Sequence, residues 1–258
     1  MESPGIRSEK LLLLAVVVAI LMDSMDGSIV NIALPTIASE LGTDTASASW
    51  IVVSYLMVLA GFILLFGRIA DRGAVKKVFV YGFGIFTAAS FLCGISDSFV
   101  MLLASRILQG IGGAMLAAAA PMLCVKYMPR EKLGMSLAVV TLGSSIGYAL
   151  GPPLGGMLTQ ILSWHWIFLI NIPIGLIAIP LALHVIPKDR KLSKEPVDLT
   201  GGLLMFAAIA SGMLALEKAG SADGSMIPVI AAIGCVVFLA SFIVRELRCR
   251  EHIIDVRI

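Results

Sequence analysis

Charge is what this sequence lacks. Asp, Glu, Lys and Arg make up 14% of its 258 residues, against about 25% in ordinary soluble domains. Between Leu133 and Pro187 there are 55 consecutive residues with none of them. That is too little charge to cover a water-facing surface, and it excludes a soluble enzyme, a nucleic-acid-binding module and a disordered chain. The 19 basic residues nearly balance the 17 acidic ones, so no nucleic-acid partner is expected. Cysteine and histidine are scarce too. Cys93, Cys124, Cys235 and Cys249 have no ligand spacing and lie in or beside apolar stretches, where small buried hydrophobes are the expected reading. His165, His184 and His252 are scattered. No metal site or cofactor is called for, and no nucleophile–base pair within a span suggests an intramembrane enzyme.

What the chain has instead is apolar length. A helix crossing the hydrocarbon core needs about 20 mostly apolar residues, and eight segments qualify: 11–35, 48–67, 78–96, 99–124, 134–159, 166–186, 199–216 and 226–244. Nothing shows the alternating polarity of a lipid-facing β-barrel, so the predicted class is an all-α polytopic membrane protein. Ser163-Trp164-His165-Trp166 marks a turn in the uncharged stretch, since Trp favours the membrane interface. The spans sort the basic residues. One set of ends holds Arg7 and Lys10; Arg68, Arg72, Lys76 and Lys77; Lys126, Arg130 and Lys132; Lys188, Arg190, Lys191 and Lys194; and Arg245, Arg248, Arg250 and Arg257. The opposite loops hold only Lys218, and Arg106 lies within a span. The positive-inside rule then places both termini in the cytoplasm. A cleaved signal peptide is disfavoured at the first segment because Asp23 and Asp26 stand where small residues would be cut.

A charge inside a span costs at least about 2.5–3.5 kcal/mol, which makes each one a functional candidate. Asp23 and Asp26 share a face of the first span at i, i+3, and Arg106 lies in the fourth. Two carboxylates so close in a poorly solvated place should not both ionise readily, a property suited to a proton carrier. Arg106 does not deprotonate and would be a fixed charge. Asn31 and Gln109 add neutral hydrogen-bonding groups. The competing reading is a structural clasp between helices. Gly143, Gly147, Gly151 and Gly155 recur every four residues along the fifth span, with Pro152, Pro153 and Gly156 beside them. Small residues let helix backbones approach closely, although four in register with a double proline is more than packing usually requires. The loop from Gly67 through Asp71, Arg72 and Lys76 to Lys77 reads either as a basic turn or as a conformational latch.

Five stretches resemble motifs of one family. The loop is similar to the pattern G-x-x-x-D-R-x-G-R-K, with Gly67, Asp71, Arg72 and Lys76 matching while Ala74 and Val75 replace a Gly and an Arg. Leu103-x-x-Arg106-x-x-Gln109-Gly110-x-Gly112 resembles a fourth-helix motif with a buried Arg. Gly147-x-x-x-Gly151-Pro152-x-x-Gly155-Gly156 resembles a fifth-helix motif of antiporters. The run from Met25-Asp26 through Asn31 to Pro35 is similar to L-D-x-T-I-V-N-V-A-L-P, which puts Asp26 at the acidic position. Trp164-His165-Trp166-Ile167-Phe168-x-x-Asn171-x-Pro173-x-Gly175 resembles the start of a sixth helix, with His165 where Arg is usual. Together they resemble the major facilitator superfamily, in its fourteen-helix drug:proton antiporter branch.

The resemblance implies an amino-terminal six-helix bundle over 1–186, built from two three-helix repeats. A cytoplasmic linker follows at 187–197, then an additional transmembrane pair at 198–245 and a cytoplasmic tail at 246–258. It further implies a transporter in the cytoplasmic membrane of a prokaryote that works by alternating access, exchanging protons for small lipophilic or cationic compounds. Asp26, Arg106, Asp23, Asn31 and Gln109 would serve proton and substrate, and Gly67, Asp71, Arg72 and Lys76 the latch. Gly147, Gly151, Pro152, Gly155 and Gly156 would form the antiporter helix. Only about half of a family member is covered, so the expectation is a fragment, a truncated or split gene product, or a half that pairs with another copy or chain. The alternative is a non-transporting membrane scaffold.

Overall fold

A computed structural model describes residues 6–189, 198–219 and 226–248. The described residues fold into α1 (Ile6–Glu40), α2 (Thr45–Ile69), α3 (Val75–Gly94), α4 (Phe99–Tyr127), α5 (Arg130–Ile161), the short α6 (Trp166–Leu169), α7 (Asn171–Val185), α8 (Leu199–Ala219) and α9 (Ile227–Arg248). Each of the eight apolar segments of the sequence is largely helical: five lie inside one helix, 78–96 and 226–244 run one or two residues past a helix end, and 166–186 is divided between α6 and α7. Much of the expected linker, from 190 to 197, and of the tail, from 249 to 258, lies outside the described residues, as do Cys249 and His252.

Among the described residues, seven continuous helical stretches are long and apolar enough to cross a membrane. One of them, Thr45–Gly94, has 50 residues. It would reach about 75 Å if straight, more than twice the ~30 Å hydrocarbon core. It is interrupted by a wide turn over Ala70–Ala74, where Gly73 takes φ 110°. A side chain is strained at that φ, and glycine supplies the turn one residue before Ala74. The Asp44 carboxyl starts α2 by accepting from the Ser47 N–H at 2.9 Å, and Ser98 caps α4 in the same way, each satisfying a donor that the first helical turn leaves free.

Helix α1 runs through the middle of the bundle, and residues 22–30 are all buried. That is about two and a half turns, so every face of α1 is covered there. Two apolar clusters lie along it. One gathers Leu12, Val16, Phe79, Phe83, Leu123 and Ala182 toward the lysine-rich end, and the other gathers Ile29, Ile37, Ile51, Trp164 and Phe168 toward the opposite end. The turn before α6 falls where expected, and Trp164 is turned inward at it. It is 1% exposed, and its indole N–H donates to Glu40 Oε2 at 2.7 Å. The ring belongs to the second cluster, and Trp166 is the exposed one.

The α8–α9 pair docks on α2. The Phe206 ring lies against Gly61 and stacks on Phe62 at 4.8 Å between centroids. Ser49 Oγ donates to Glu217 Oε1 at 2.5 Å. The outer side of α9 presents Ile230, Ile233 and Val236, all exposed. An apolar face of this kind suits lipid rather than water.

Candidate functional site

The sequence places Arg106 and Gln109 on one face of α4, and that face is aimed at Asp26 of α1. Arg106 Nη1 donates to Asp26 Oδ2 at 2.5 Å and to Gln109 Oε1 at 2.7 Å, while its Nε donates to the Ile51 carbonyl of α2 at 3.0 Å. Gln109 Nε2 donates to Asp26 Oδ1 at 2.8 Å and to Ser90 Oγ of α3 at 2.8 Å. Asn171, at the start of α7, gives Asp26 Oδ1 a further donor at 2.9 Å. Three helices therefore meet at the Asp26 carboxylate, and Arg106 and Gln109 extend the network to α2 and α3. Asp26, Arg106, Gln109, Ser90 and Asn171 are all fully buried, so a ligand reaches Asp26 or Arg106 only after helices part.

A buried charge is tolerated when it is paired and hydrogen-bonded, and this one is both. The guanidinium also lies over the Tyr55 ring, with Cζ 4.1 Å from the centroid, a cation–π contact. Among the described residues Arg106 Nη2 and Asn171 Oδ1 have no hydrogen-bond partner, which leaves the network one spare donor group and one spare acceptor. Glycines make the approach possible. A Cβ on Gly110 would sit 2.8 Å from the Tyr55 carbonyl, and one on Gly112 would sit 2.6 Å from the Phe86 nitrogen. These residues bring α2 and α3 onto α4 within reach of the Arg106 side chain.

Asp23 is near this network without joining its hydrogen bonds. Its Oδ1 accepts from the Tyr55 hydroxyl at 2.5 Å, and Gly113 leaves the space, since a Cβ there would lie 2.7 Å from the carboxylate. Tyr55 thus touches both acidic residues' surroundings, with its hydroxyl on Asp23 and its face under Arg106. Asn31 stands apart. It is exposed and only reaches back to the Gly27 and Ser28 carbonyls of its own helix, at 3.5 and 3.4 Å.

The glycine stripe of α5 faces α1. A Cβ on Gly147 would approach the Leu21 carbonyl to 2.6 Å, and one on Gly155 the Ile29 carbonyl to 2.7 Å. Gly143 meets Val17 and Gly151 meets Ser28, whereas Gly156 makes only ordinary contact with Ile32 at 3.7 Å. Pro152 is half-buried beside them, and Ser24 and Ser144 hydrogen-bond at 2.8 Å. Close packing accounts for the four-residue repeat, and it fixes the helix that carries Asp23 and Asp26.

Gly67, Asp71 and Lys76 have separate surroundings in this conformation. Asp71 is exposed and 3.9 Å from Arg68, and Gly67 faces open space. Lys76 instead reaches the end of α7, where its ammonium donates to the Leu183 and Ile186 carbonyls at 2.7 and 2.5 Å. The Asp189 carboxylate accepts from the Lys76 and Lys77 backbone N–H groups at 2.9 Å each, capping α3 from 112 residues away. Sequence reasoning missed Tyr55, Ser90 and Asp189 altogether and assigned Asn171 no role. An isolated polar residue in an apolar run was the available signal for the first two.

A sequence profile of the Major Facilitator Superfamily matches residues 16–247. The chain belongs to the Major Facilitator Superfamily. Members of that superfamily are transporters rather than enzymes. Among curated relatives, MdtD of Klebsiella pneumoniae (strain 342), named for multidrug resistance, is 39% identical over 196 residues, covering 76% of this chain and 41% of the relative. Proteins of the same name from Yersinia pestis (strain Pestoides F) and Yersinia pseudotuberculosis serotype O:3 (strain YPIII) are 39% identical over 196 residues, with 42% of each covered. This superfamily chain therefore spans about two fifths of the length of those relatives.

Proposed function

We propose that the chain forms the amino-terminal part of a proton-coupled efflux transporter for small lipophilic or cationic compounds, crossing the cytoplasmic membrane eight times with both termini in the cytoplasm. The interrupted stretch Thr45–Gly94 supplies two of the crossings, and the distribution of lysine and arginine supplies the orientation. Residues 1–186 form the first bundle and 198–245 the added pair. A second six-helix bundle, from the same or another chain, completes the path. The relatives named for multidrug resistance support the substrate class.

The observation that carries this reading is the fully buried Asp26, held by Arg106, Gln109 and Asn171 on two other helices. When Asp26 is ionised, the charge-assisted bond to Arg106 ties α1 to α4. A proton on Asp26 removes that attraction and leaves Arg106 with the Ile51 carbonyl and Gln109. The two protonation states then differ in how strongly they favour the closed packing, which is what coupling requires. Asp23, bonded to Tyr55, is the second acidic group on the same face and stands nearer the surface. The Gly67–Lys76 loop acts as the latch between conformations.

Co-expression of the chain with a complementary carboxy-terminal bundle tests the proposal. Proton-dependent dye extrusion is expected from the pair and is lost on Asp26→Asn. Unaltered extrusion by that variant would remove Asp26 from the coupling role. Thiol labelling at Lys126→Cys and Lys218→Cys, expected from opposite faces, checks the orientation.

A further inference from the structure

A cleft of about 420 Å³ opens where α3 begins and α7 ends, lined by Lys76, Lys77, Tyr81, Leu183, Lys188 and Asp189 among others. Two of its charged groups are already committed. The Asp189 carboxylate is held by the first N–H groups of α3, and the Lys76 ammonium by the last carbonyls of α7. Lys77 and Lys188 are exposed, and neither makes an ion pair among the described residues. The lining has two levels. Lys77 and Lys188 stand at the rim. Tyr81, one helical turn further into the span and on the Lys77 face, is 62% exposed, and Leu183 is 52% exposed. Tyrosine at this depth suits the headgroup level of a bilayer.

We propose that this cleft binds an anionic phospholipid, with the lipid phosphate between Lys77 and Lys188 and the start of an acyl chain along Tyr81, Val80 and Leu183. A free phosphate ion would use the two lysines and leave the apolar half of the cleft empty, whereas a lipid matches both levels. Basic pockets between helices at the cytoplasmic side are suited to such headgroups. The inference rests on the orientation proposed above, which places this end at the cytoplasmic leaflet. The bound lipid would lie against the Asp189 cap that joins α3 to α7, directly after the Gly67–Lys76 loop.

Native mass spectrometry of the purified 258-residue chain, titrated with dioleoylphosphatidylglycerol, tests this without requiring transport. K77Q/K188Q is expected to weaken retention about 25-fold, from about 5-fold per lysine near a membrane surface. K10Q/R130Q, which removes the same charge from the same end of the bundle but away from the cleft, is expected to leave retention unchanged. Equal retention by K77Q/K188Q and the parent would overturn the proposal. So would equal retention of dioleoylphosphatidylcholine, or binding of inorganic phosphate as tight as that of the lipid. Because the chain is assayed alone, loss of lipid binding and loss of dye extrusion are separate results.

Discussion

The Asp26–Arg106 pair makes a quantitative demand that a double-mutant cycle can check. Asp26→Asn leaves the guanidinium fully buried, still bonded to the Ile51 carbonyl and Gln109 but without a counter-charge. Arg106→Gln leaves the carboxylate buried with only the Gln109 and Asn171 donors. Removing one partner of a buried pair typically costs about 3–5 kcal/mol, so each single variant is expected to lose that much. Independent effects would sum to about 6–10 kcal/mol. The double variant instead places a neutral Asn beside a neutral Gln, in reach of the same hydrogen-bond partners, and is expected to lie within about 2 kcal/mol of the parent, because replacing both members of a buried pair is often nearly neutral. The coupling energy is then at least about 4 kcal/mol. Unfolding in mixed micelles titrated with sodium dodecyl sulfate, followed by tryptophan fluorescence at neutral pH, measures all four corners. A coupling below about 1 kcal/mol would mean that the two charges are separated or hydrated, and the buried network would have to be abandoned as the centre of the site.

Two further substitutions probe how the network is held. Gly147→Ala places a methyl group 2.6 Å from the Leu21 carbonyl. It is expected to destabilise the same micellar protein by about 1–3 kcal/mol, while Gly156→Ala, with 3.7 Å of room, is expected to be neutral or slightly stabilising; equal effects at the two positions would refute the close packing of α1 on α5. At the start of α8, burial pushes the Asp198 carboxyl up, but hydrogen bonds from Arg245 and the Gly201 N–H outweigh it and hold the carboxyl below its ordinary range. Because the folded value is depressed, the contribution is present above the ordinary carboxylate pKa of about 4 and is lost as pH falls through the lower folded value. The protection factor for amide exchange at the start of α8, the intrinsic rate at each pH divided by the observed one, is expected to fall below about pH 4 in the parent and to be low at every pH in Asp198→Asn; identical protection profiles would rule out the Arg245 link.

The spans and the central charges were readable because their signals are local. Twenty apolar residues in a row need no knowledge of neighbours, and a lone charge in such a run carries its cost wherever it packs. The i, i+3 spacing even put Arg106 and Gln109 on a shared face, where they now hold Asp26 together. What could not be read was which helices meet. Ser90 and Asn171 come from α3 and α7, and nothing in the composition of either helix says that it faces Asp26. Tyr55 stands out in the apolar run of α2 only by its hydroxyl, and nothing local says that its ring lies under Arg106 and its hydroxyl on Asp23. The same limit applies to Asp23 and Asn31. Helical spacing put Asp23 beside Asp26, yet it is bonded to Tyr55, and Asn31 shares the motif with Asp26 but turns outward. Asp189 capping α3 is a contact between positions more than a hundred residues apart, invisible to any local pattern.

The geometry around α1 also constrains how a proton on Asp26 can have a consequence. Residues 22–30 are buried on every side, so α1 cannot swing away alone without exposing core on several faces. On the α5 side, however, the contact is made largely by glycine, so α5 contributes few knobs of its own; α1 side chains such as Val17 and Ile29 rest in its grooves, and the Ser24–Ser144 hydrogen bond is the directed link. On the opposite side the register is set by directed bonds from α2, α4 and α7 to Asp23 and Asp26. Small sliding of packed helices is an established mode of conformational change, and it is cheapest where one face is smooth and the other is held by bonds that a proton can weaken. On the proposed reading, protonation of Asp26 loosens the polar side while the glycine side remains closely packed, so α1 shifts along α5 with the α5 contact kept. Gly147→Ala would then be expected to impair dye extrusion even in a protein stabilised elsewhere to the parent's level. Unimpaired extrusion by such a compensated variant would show that the smooth face serves packing alone.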